Sequence, residues 1–179
     1  MPISLKIFLC LFFLSSTVLT NTTNAQSTNN YDRSFRLGFG LDLGYASNNP
    51  YKIALGFDSR LQYDLSKRYS VTLTTGFTNI FAGGDNHDLG IIPVKLGFKA
   101  FVWSDEFYVM GEGGAAFSVT NNYSRNSVII APSIGYATKY IDFSLRYEHY
   151  TDFPYQTIDN ASKNGFGQLA LRLAYGFRL

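Results

Sequence analysis

The sequence lacks residues on which several common folds and chemistries depend. Of its 179 residues one is cysteine, only 16% are charged, and the formal net charge is +2. The cysteine, Cys10, lies in a segment that we expect to be removed, so neither disulfides nor thiol chemistry are available to the rest. The small net charge and the lack of a basic run exclude a nucleic-acid-binding protein. No run beyond that segment approaches the roughly 18 apolar residues of a membrane-spanning helix.

Catalytic and ligand-binding motifs are also missing. The 16 glycines occupy alternating positions in apolar segments and form no phosphate-binding loop. The stretch Asp85-Asn86-His87-Asp88 has no metal-ligand spacing and is interpreted as a solvated loop. We therefore predict neither a cofactor nor a metal site.

The first 25 residues have the pattern of a secretory signal peptide. Lys6 precedes an apolar run from Ile7 to Leu14, which is too short to span a bilayer. The segment ends on Thr23-Asn24-Ala25, with small residues at the positions that signal peptidase reads. We predict a cleaved signal peptide over residues 1–25, a short N-terminal segment over 26–33 and one domain over 34–179.

What the sequence has in abundance is aromatic residues, at 17%, within segments of strict apolar–polar alternation. In the first segment Phe35, Leu37 and Phe39 alternate with small or charged residues. Such alternation predicts strands with one apolar and one polar face. Eight segments share it: residues 34–45, 51–65, 69–81, 91–102, 107–119, 128–138, 141–150 and 165–179.

Three features favour a membrane barrel over a soluble sandwich, which would show the same alternation. Segments of about 12 residues, tilted by about 45°, match the roughly 30 Å hydrocarbon core of a bilayer. Short turns at 66–68, 103–106 and 139–140 alternate with longer connections at 82–90, 120–127 and 151–164, as in outer-membrane barrels. We predict an all-β, eight-stranded antiparallel up-and-down transmembrane β-barrel in the outer membrane.

The third feature is the placement of the outward-facing aromatic residues, which is expected to form a girdle at each membrane interface. The girdle at the short turns is predicted to comprise Phe35, Tyr63, Tyr69, Phe107, Tyr136, Tyr175 and Phe177. The girdle at the longer loops is predicted to comprise Tyr45, Tyr51, Phe81, Phe117 and Tyr147. Pro93 and Pro132 lack a backbone donor, so we expect a bulge or an already ended ladder at both.

Several stretches of the chain resemble the small outer-membrane β-barrel domain proteins of Bacteroidota-type bacteria. The resemblance implies an eight-stranded barrel in the outer membrane, in contact with its lipid, its lipopolysaccharide and its assembly machinery. We expect a monomeric barrel. The stretches concerned are Ile92 to Gly97, Phe107-Tyr108-Val109 with Gly111, Gly113 and Gly114, and Leu171 to Arg178.

Many of the alternate positions that face inward carry charged side chains, and these are expected to lie in the lumen. The lumen of an eight-stranded barrel is just wide enough for side chains to fill. Buried charges must be paired, so we predict a charge network. Glu112 is expected opposite Gly97, with Lys95 and Lys99 as the cations that it neutralises. The predicted cations are Arg36, Lys52, Arg60, Lys95, Lys99, Arg146, Arg172 and Arg178. The predicted anions are Asp42, Asp58, Asp64, Glu112, Asp142 and Glu148.

Three functional hypotheses follow from this pattern. The first is a non-enzymatic barrel that acts through its extracellular loops or as a structural or assembly component. The second is a narrow conduit or binder for small hydrophobic molecules. The third rests on a resemblance to outer-membrane lipid A deacylases, which carry a His-x-Ser-Asn motif where this chain has His149, Thr151 and Asp152. Because the serine is replaced and the carboxylate is missing, we interpret His149 as an interfacial residue and predict no enzyme.

The connection 151–164 is the one with exposed apolar residues in this interpretation. Phe153, Pro154, Tyr155 and Ile158 are expected to face outward there and to contact a partner or lipid.

Overall fold

The computed structural model describes residues 33–48, 50–83, 87–103, 106–120, 126–156 and 162–179. The predicted signal peptide and residues 26–32 of the predicted N-terminal segment lie outside them. Among the described residues, no helix has the length and apolar character to cross a membrane.

Eight strands run through the described residues, and they coincide with the eight alternating segments. Strands β4, β6, β7 and β8 extend beyond the predicted segments. The strands are β1 (Phe35–Ala46), β2 (Tyr51–Asp64), β3 (Tyr69–Ala82), β4 (Leu89–Val102), β5 (Phe107–Ser118), β6 (Asn126–Ala137), β7 (Ile141–Gln156) and β8 (Ser162–Arg178).

Each strand pairs with its sequence neighbours in antiparallel register, and β1 pairs with β8 to close the sheet. Leu41 therefore lies opposite Phe57 of β2 on one side and Leu173 of β8 on the other. Closure leaves no edge strand along the wall, which is the condition for a sheet to span a bilayer. The predicted eight-stranded antiparallel transmembrane barrel is confirmed.

The two faces of the wall differ as the alternation predicts. Large apolar side chains such as Leu41, Phe57 and Leu96 are more than half exposed on the outer surface. Their neighbours Asp42, Asp58 and Lys95 are buried inside. An outer belt of exposed apolar side chains around a polar interior is the inverse of a soluble fold and is typical of a surface that faces lipid.

The connections divide between two ends of the barrel. One end, called the turn rim below, is where β2 joins β3, β4 joins β5 and β6 joins β7, and it holds the start of β1 and the end of β8. At the other end, the loop rim, β1 joins β2, β3 joins β4, β5 joins β6 and β7 joins β8. The predicted long loop 151–164 is mostly strand, because β7 and β8 continue as a hairpin in which Pro154 pairs with Asn164 and Gln156 with Ser162.

The two prolines interrupt the ladder without ending or shifting it. Pro132 pairs with Gly111, but the β6–β7 ladder lacks the pairs between Ile130–His149 and Ser133–Arg146. The β3–β4 ladder likewise pauses at Pro93, between the pairs Thr75–Val94 and Thr78–Ile91. The expectation of a bulge or an ended ladder was therefore wrong at both. A proline removes one donor, and the strands continue in the same register because the flanking pairs hold them.

Candidate functional site in the barrel lumen

Five cationic and five anionic side chains from six strands form one connected ion-pair network in the lumen, among the described residues. They are ten of the fourteen predicted inward charges. We call this set the lumen network: Asp42, Asp58, Arg60, Lys95, Lys99, Glu112, Asp142, Arg146, Glu148 and Arg172. Equal numbers of the two signs allow each buried charge a partner, which lowers the cost of removing it from water.

Arg146 of β7 lies at the centre of the lumen network. Its Nη2 atom is 2.8 Å from Asp42 Oδ1, and its Nε atom is 2.9 Å from Glu148 Oε1. Its Nη1 atom is 3.8 Å from Glu112 Oε2 and 3.9 Å from Asp58 Oδ2. One guanidinium therefore links carboxylates from β1, β2, β5 and β7, which a single lysine could not do with its point charge.

Glu112 lies opposite Gly97 as predicted, but it does not neutralise both lysines. Its Oε2 atom is 3.4 Å from Arg60 Nη2 and 3.9 Å from Lys95 Nζ, and its Oε1 atom accepts a hydrogen bond from the Thr74 hydroxyl at 2.7 Å. A Cβ on Gly97 would lie 2.8 Å from Glu112 Cγ, so the glycine gives this side chain its room.

The predicted contact between Glu112 and Lys99 was wrong. Lys99 Nζ donates to Asp142 Oδ2 at 2.7 Å and lies 3.7 Å from the centre of the Tyr108 ring. Asp142 belongs to β7, across the lumen from β4. In a barrel this narrow, a long side chain reaches the opposite wall as easily as its diagonal neighbour.

Arg172 forms the lumen network's two-point ion pair. Its Nε atom donates to Asp58 Oδ2 at 2.7 Å, and Nη2 donates to Oδ1 of the same carboxylate. A Cβ on Gly40 would lie 2.8 Å from Arg172 Nε, so Gly40 leaves the space for the guanidinium. Paired N–H···O bonds of this kind fix orientation as well as charge.

Towards the loop rim the lumen changes from charged to apolar. Eight large side chains fill it there, packed against small alanines. We call them the aromatic cap: Tyr51, Ile80, Leu89, Ile91, Ile129, Tyr150, Phe153 and Phe166. The ring of Phe166 lies 4.9 Å from that of Tyr51 and 5.0 Å from that of Tyr150. Sequence reasoning missed this cap, although apolar residues at inward positions near the loop rim were its signal.

Two residues of the aromatic cap lie inside the barrel, although the alternation had predicted that they would be exposed. Tyr51, placed in the outer girdle, is 1% exposed, because a register shift between Tyr51 and Ile53 turns it inward. The same shift leaves Lys52 exposed instead of inside. Phe153, expected to face outward in a loop, is 0% exposed, because β7 continues past an irregularity between Tyr150 and Pro154. Residues inserted in one strand of a ladder change which face the side chains around them point to.

Tyr150 joins the two halves of the lumen. Its ring belongs to the aromatic cap, and its hydroxyl donates to Glu148 Oε2 at 2.9 Å. Glu148 also accepts a hydrogen bond from Lys95 Nζ at 2.8 Å and from the Gln168 amide. The boundary is thus a tyrosine with its apolar part on one side and its polar atom on the other.

The remaining predicted charges lie at the ends. Arg36 Nε donates to Asp64 Oδ2 at 3.0 Å near the turn rim, and this arginine is partly exposed. Arg178, predicted to face inward, is exposed because it ends β8 beside Arg36.

The other eleven residues of the predicted girdles have exposed or half-exposed side chains, although Tyr147 lies in the middle of β7 and not at a rim. Tyr51 excepted, they are Phe35, Tyr45, Tyr63, Tyr69, Phe81, Phe107, Phe117, Tyr136, Tyr147, Tyr175 and Phe177. At the turn rim, Phe35 packs on Tyr63 at 4.7 Å and Phe107 on Tyr136 at 4.9 Å between ring centres.

The deacylase-like residues are not arranged as a nucleophile and its base. The Thr151 hydroxyl donates to the carboxylate of its neighbour Asp152, and the Asp152 amide donates to Ser127 Oγ at 3.0 Å. His149 pairs with Gly167 across β7 and β8 and is half-buried. Of the predicted loop Asp85-Asn86-His87-Asp88, residues 85 and 86 lie outside the described residues. The Asp88 carboxylate accepts a hydrogen bond from the Ala82 amide at 3.0 Å.

Comparison with known proteins identifies the fold. No protein-family model matches the chain, and no curated protein matches it. The N-terminal β-barrel domain of Pseudomonas aeruginosa OprF is similar, with a TM-score of 0.54 at 10% identity over 81% of this chain and 99% of that one. Ail of Yersinia pestis, in complex with the heparin analogue sucrose octasulfate, has a TM-score of 0.52 at 15% identity over 81% of this chain and 99% of that one. At such identities the likeness shows the fold alone: this chain has the fold of the small outer-membrane β-barrels.

Proposed function

We propose that this chain is a non-enzymatic, non-conducting outer-membrane barrel that acts through its loop rim or as a structural or assembly component of the envelope. The observation that carries the proposal is the filled lumen. Ten paired charges occupy its middle and turn-rim part, and the aromatic cap occupies the part towards the loop rim. An ion on this route would have to break buried pairs and then cross an apolar layer, and both steps are costly.

The same observation weighs against a narrow conduit. The described lumen is occupied by side chains from both halves, so a solute has no preformed path along the axis. A deacylase is disfavoured because Thr151 donates its hydroxyl proton to Asp152 and not to His149.

The expected partners belong to the same proposal. They are the lipid and lipopolysaccharide of the outer membrane and its assembly machinery, and the chain is expected to act as a monomer. The relation to Bacteroidota-type barrels also stays a prediction.

Conductance across a planar lipid bilayer tests the sealed lumen. The refolded barrel is expected to produce no discrete current steps. A triple variant, Tyr150→Ser with Phe166→Ser and Arg146→Ser, opens the cap and the centre of the lumen network and is expected to conduct. Regular steps from the unaltered barrel would contradict the proposal.

A complementation experiment separates the two modes of action. The gene is deleted, and the cells are tested for two properties: resistance to detergent and binding of external ligands to the cell surface. A barrel with connections 119–125 and 157–161 shortened is then returned. Recovery of detergent resistance without surface binding would assign a structural role to the barrel wall and a binding role to these two loops. Recovery of both properties would exclude these two loops as the acting surface.

A further inference from the structure

A groove of about 520 Å³ crosses the outer wall of the barrel from β4 to β8. Its floor is formed by Gly111 and Pro132, and its walls by Phe98, Ile134, Tyr147 and Leu169. A groove of this volume is in the range of small-ligand sites. This one opens outward, on the surface that faces lipid.

Two features of the wall create the groove. Gly111 faces outward without a side chain, and a Cβ there would meet no heavy atom within 4 Å. Beside it, Pro132 interrupts the β6–β7 ladder, which resumes in unchanged register at Ser133 and Arg146. The dent is therefore built by the backbone.

The upper wall is held in place by packing. A Cβ on Gly167 would lie 2.9 Å from Cζ of the Tyr147 ring, so this ring rests directly on the β8 backbone. Glycine at position 167 leaves room for the ring on the β8 backbone. The groove is consequently preformed, which reduces the cost of ordering it around a ligand.

The position of the groove along the barrel axis identifies its surroundings. Gly111 follows Phe107 by four residues on β5, which corresponds to roughly 9 Å of height above the turn rim for a strand tilted by about 45°. Below it the Phe107 and Tyr136 rings pack together at 4.9 Å. The floor of the groove at Gly111 therefore lies just above the interfacial aromatic residues, and the groove extends from there within the apolar outer belt towards Tyr147 and Leu169.

We propose that this groove binds one acyl chain of a phospholipid from the leaflet at the turn rim. The apolar side chains of its walls match a hydrocarbon chain, and its continuity with the lipid-facing belt gives the chain direct access. A second copy of the barrel fits less well, because eleven residues line the groove and a standard protein interface uses about 20–30 a side.

Gly111→Leu tests the proposal by filling the groove from its floor. Gly113→Leu is the matched control: it adds the same side chain at the next outward position of β5, where a Cβ has only Ile129 O at 3.9 Å, and it does not line the groove. Each barrel is extracted in mild detergent, titrated with a phosphatidylethanolamine carrying one palmitoyl and one oleoyl chain, and measured by native mass spectrometry. We expect about tenfold weaker lipid retention in Gly111→Leu and unchanged retention in Gly113→Leu.

Gly111→Val provides a second filling variant that suits a strand if the leucine prevents folding. Equal retention by the filled and control barrels would overturn the proposal. A dimer that is present in the unaltered barrel and lost only on filling would assign the groove to a second copy and overturn it as well.

Discussion

The two halves of the lumen are filled by opposite kinds of side chain, although inward positions of the same strands supply both. In the lumen network every buried charge depends on named partners, and Arg146 alone approaches four carboxylates within 4 Å. In the aromatic cap the side chains are held mainly by packing, and Phe166 packs among three other rings. The network is therefore sensitive to the loss of one atom, whereas the cap is sensitive to the loss of volume.

This difference explains why a narrow barrel carries both. Paired charges specify which strands face each other, but they retain polar atoms that attract water. An apolar layer excludes water but tolerates repacking. Together they give a lumen with specific charge pairs in its middle and an apolar filling towards the loop rim.

Arg146→Met is expected to cause the largest loss of unfolding free energy among these variants. It leaves Asp42, Glu148, Glu112 and Asp58 short of positive charge in a confined interior, and breaking a buried network in this way costs about 3–5 kcal/mol of unfolding free energy. Urea titration in detergent, followed by circular dichroism, measures it. Arg36→Met is the control, because Arg36 is partly exposed and the buried Asp64 carboxylate keeps its hydrogen bonds from Gln62 and Ser70 when the arginine is lost, so the variant should cost clearly less. Similar losses in the two variants would mean that burial does not distinguish the pairs.

Phe166→Ala probes the cap by removing volume. Its side chain is buried among the rings of Tyr51, Tyr150 and Phe153, and the cavity is expected to cost about 3 kcal/mol. Phe166→Leu retains most of the volume and should cost less than about 1.5 kcal/mol. The same titration checks both variants. If leucine were as damaging as alanine, the cap would depend on ring geometry and the contrast with the lumen network would fail.

A double-mutant cycle at Glu112 measures which cation of the lumen network this carboxylate pairs with. Glu112 lies 3.4 Å from Arg60, whereas Lys99 is occupied by Asp142 at 2.7 Å. Combining Glu112→Ala with Arg60→Met should therefore show a coupling of about 2 kcal/mol, and combining it with Lys99→Met a coupling below about 0.5 kcal/mol. The free energies of unfolding of the single and double variants give both values. A strong coupling to Lys99 would restore the pairing expected from the strand register alone.

The barrel itself could be predicted from the sequence, and so could most of the charges that face its lumen, Lys52 and Arg178 being the exceptions that are exposed. Alternation of period two specifies the facing of every residue once a strand is in register, so Glu112 opposite Gly97 followed from counting back from a turn. The partner of Lys99 could not be predicted, because Asp142 reaches it across the lumen from a strand that is not adjacent. Tyr51 and Phe153 were misplaced because an irregularity in a ladder reverses facing and leaves no mark in the alternation itself.

Tyr150→Phe has the smallest expected effect and tests the boundary between the two halves. The substitution retains the ring in the aromatic cap and removes the hydroxyl that donates to Glu148 Oε2. Glu148 keeps Lys95 at 2.8 Å and Arg146 at 2.9 Å, so its charge stays paired and the loss should be about 1 kcal/mol, the net value of one hydrogen bond. Tyr45→Phe is the control, since that tyrosine lies exposed on the outer wall and does not line the groove. A loss of about 3 kcal/mol or more in Tyr150→Phe, measured by the same titration, would mean that the lumen network depends on the cap for its pairing and that the two halves stabilise the barrel as one unit.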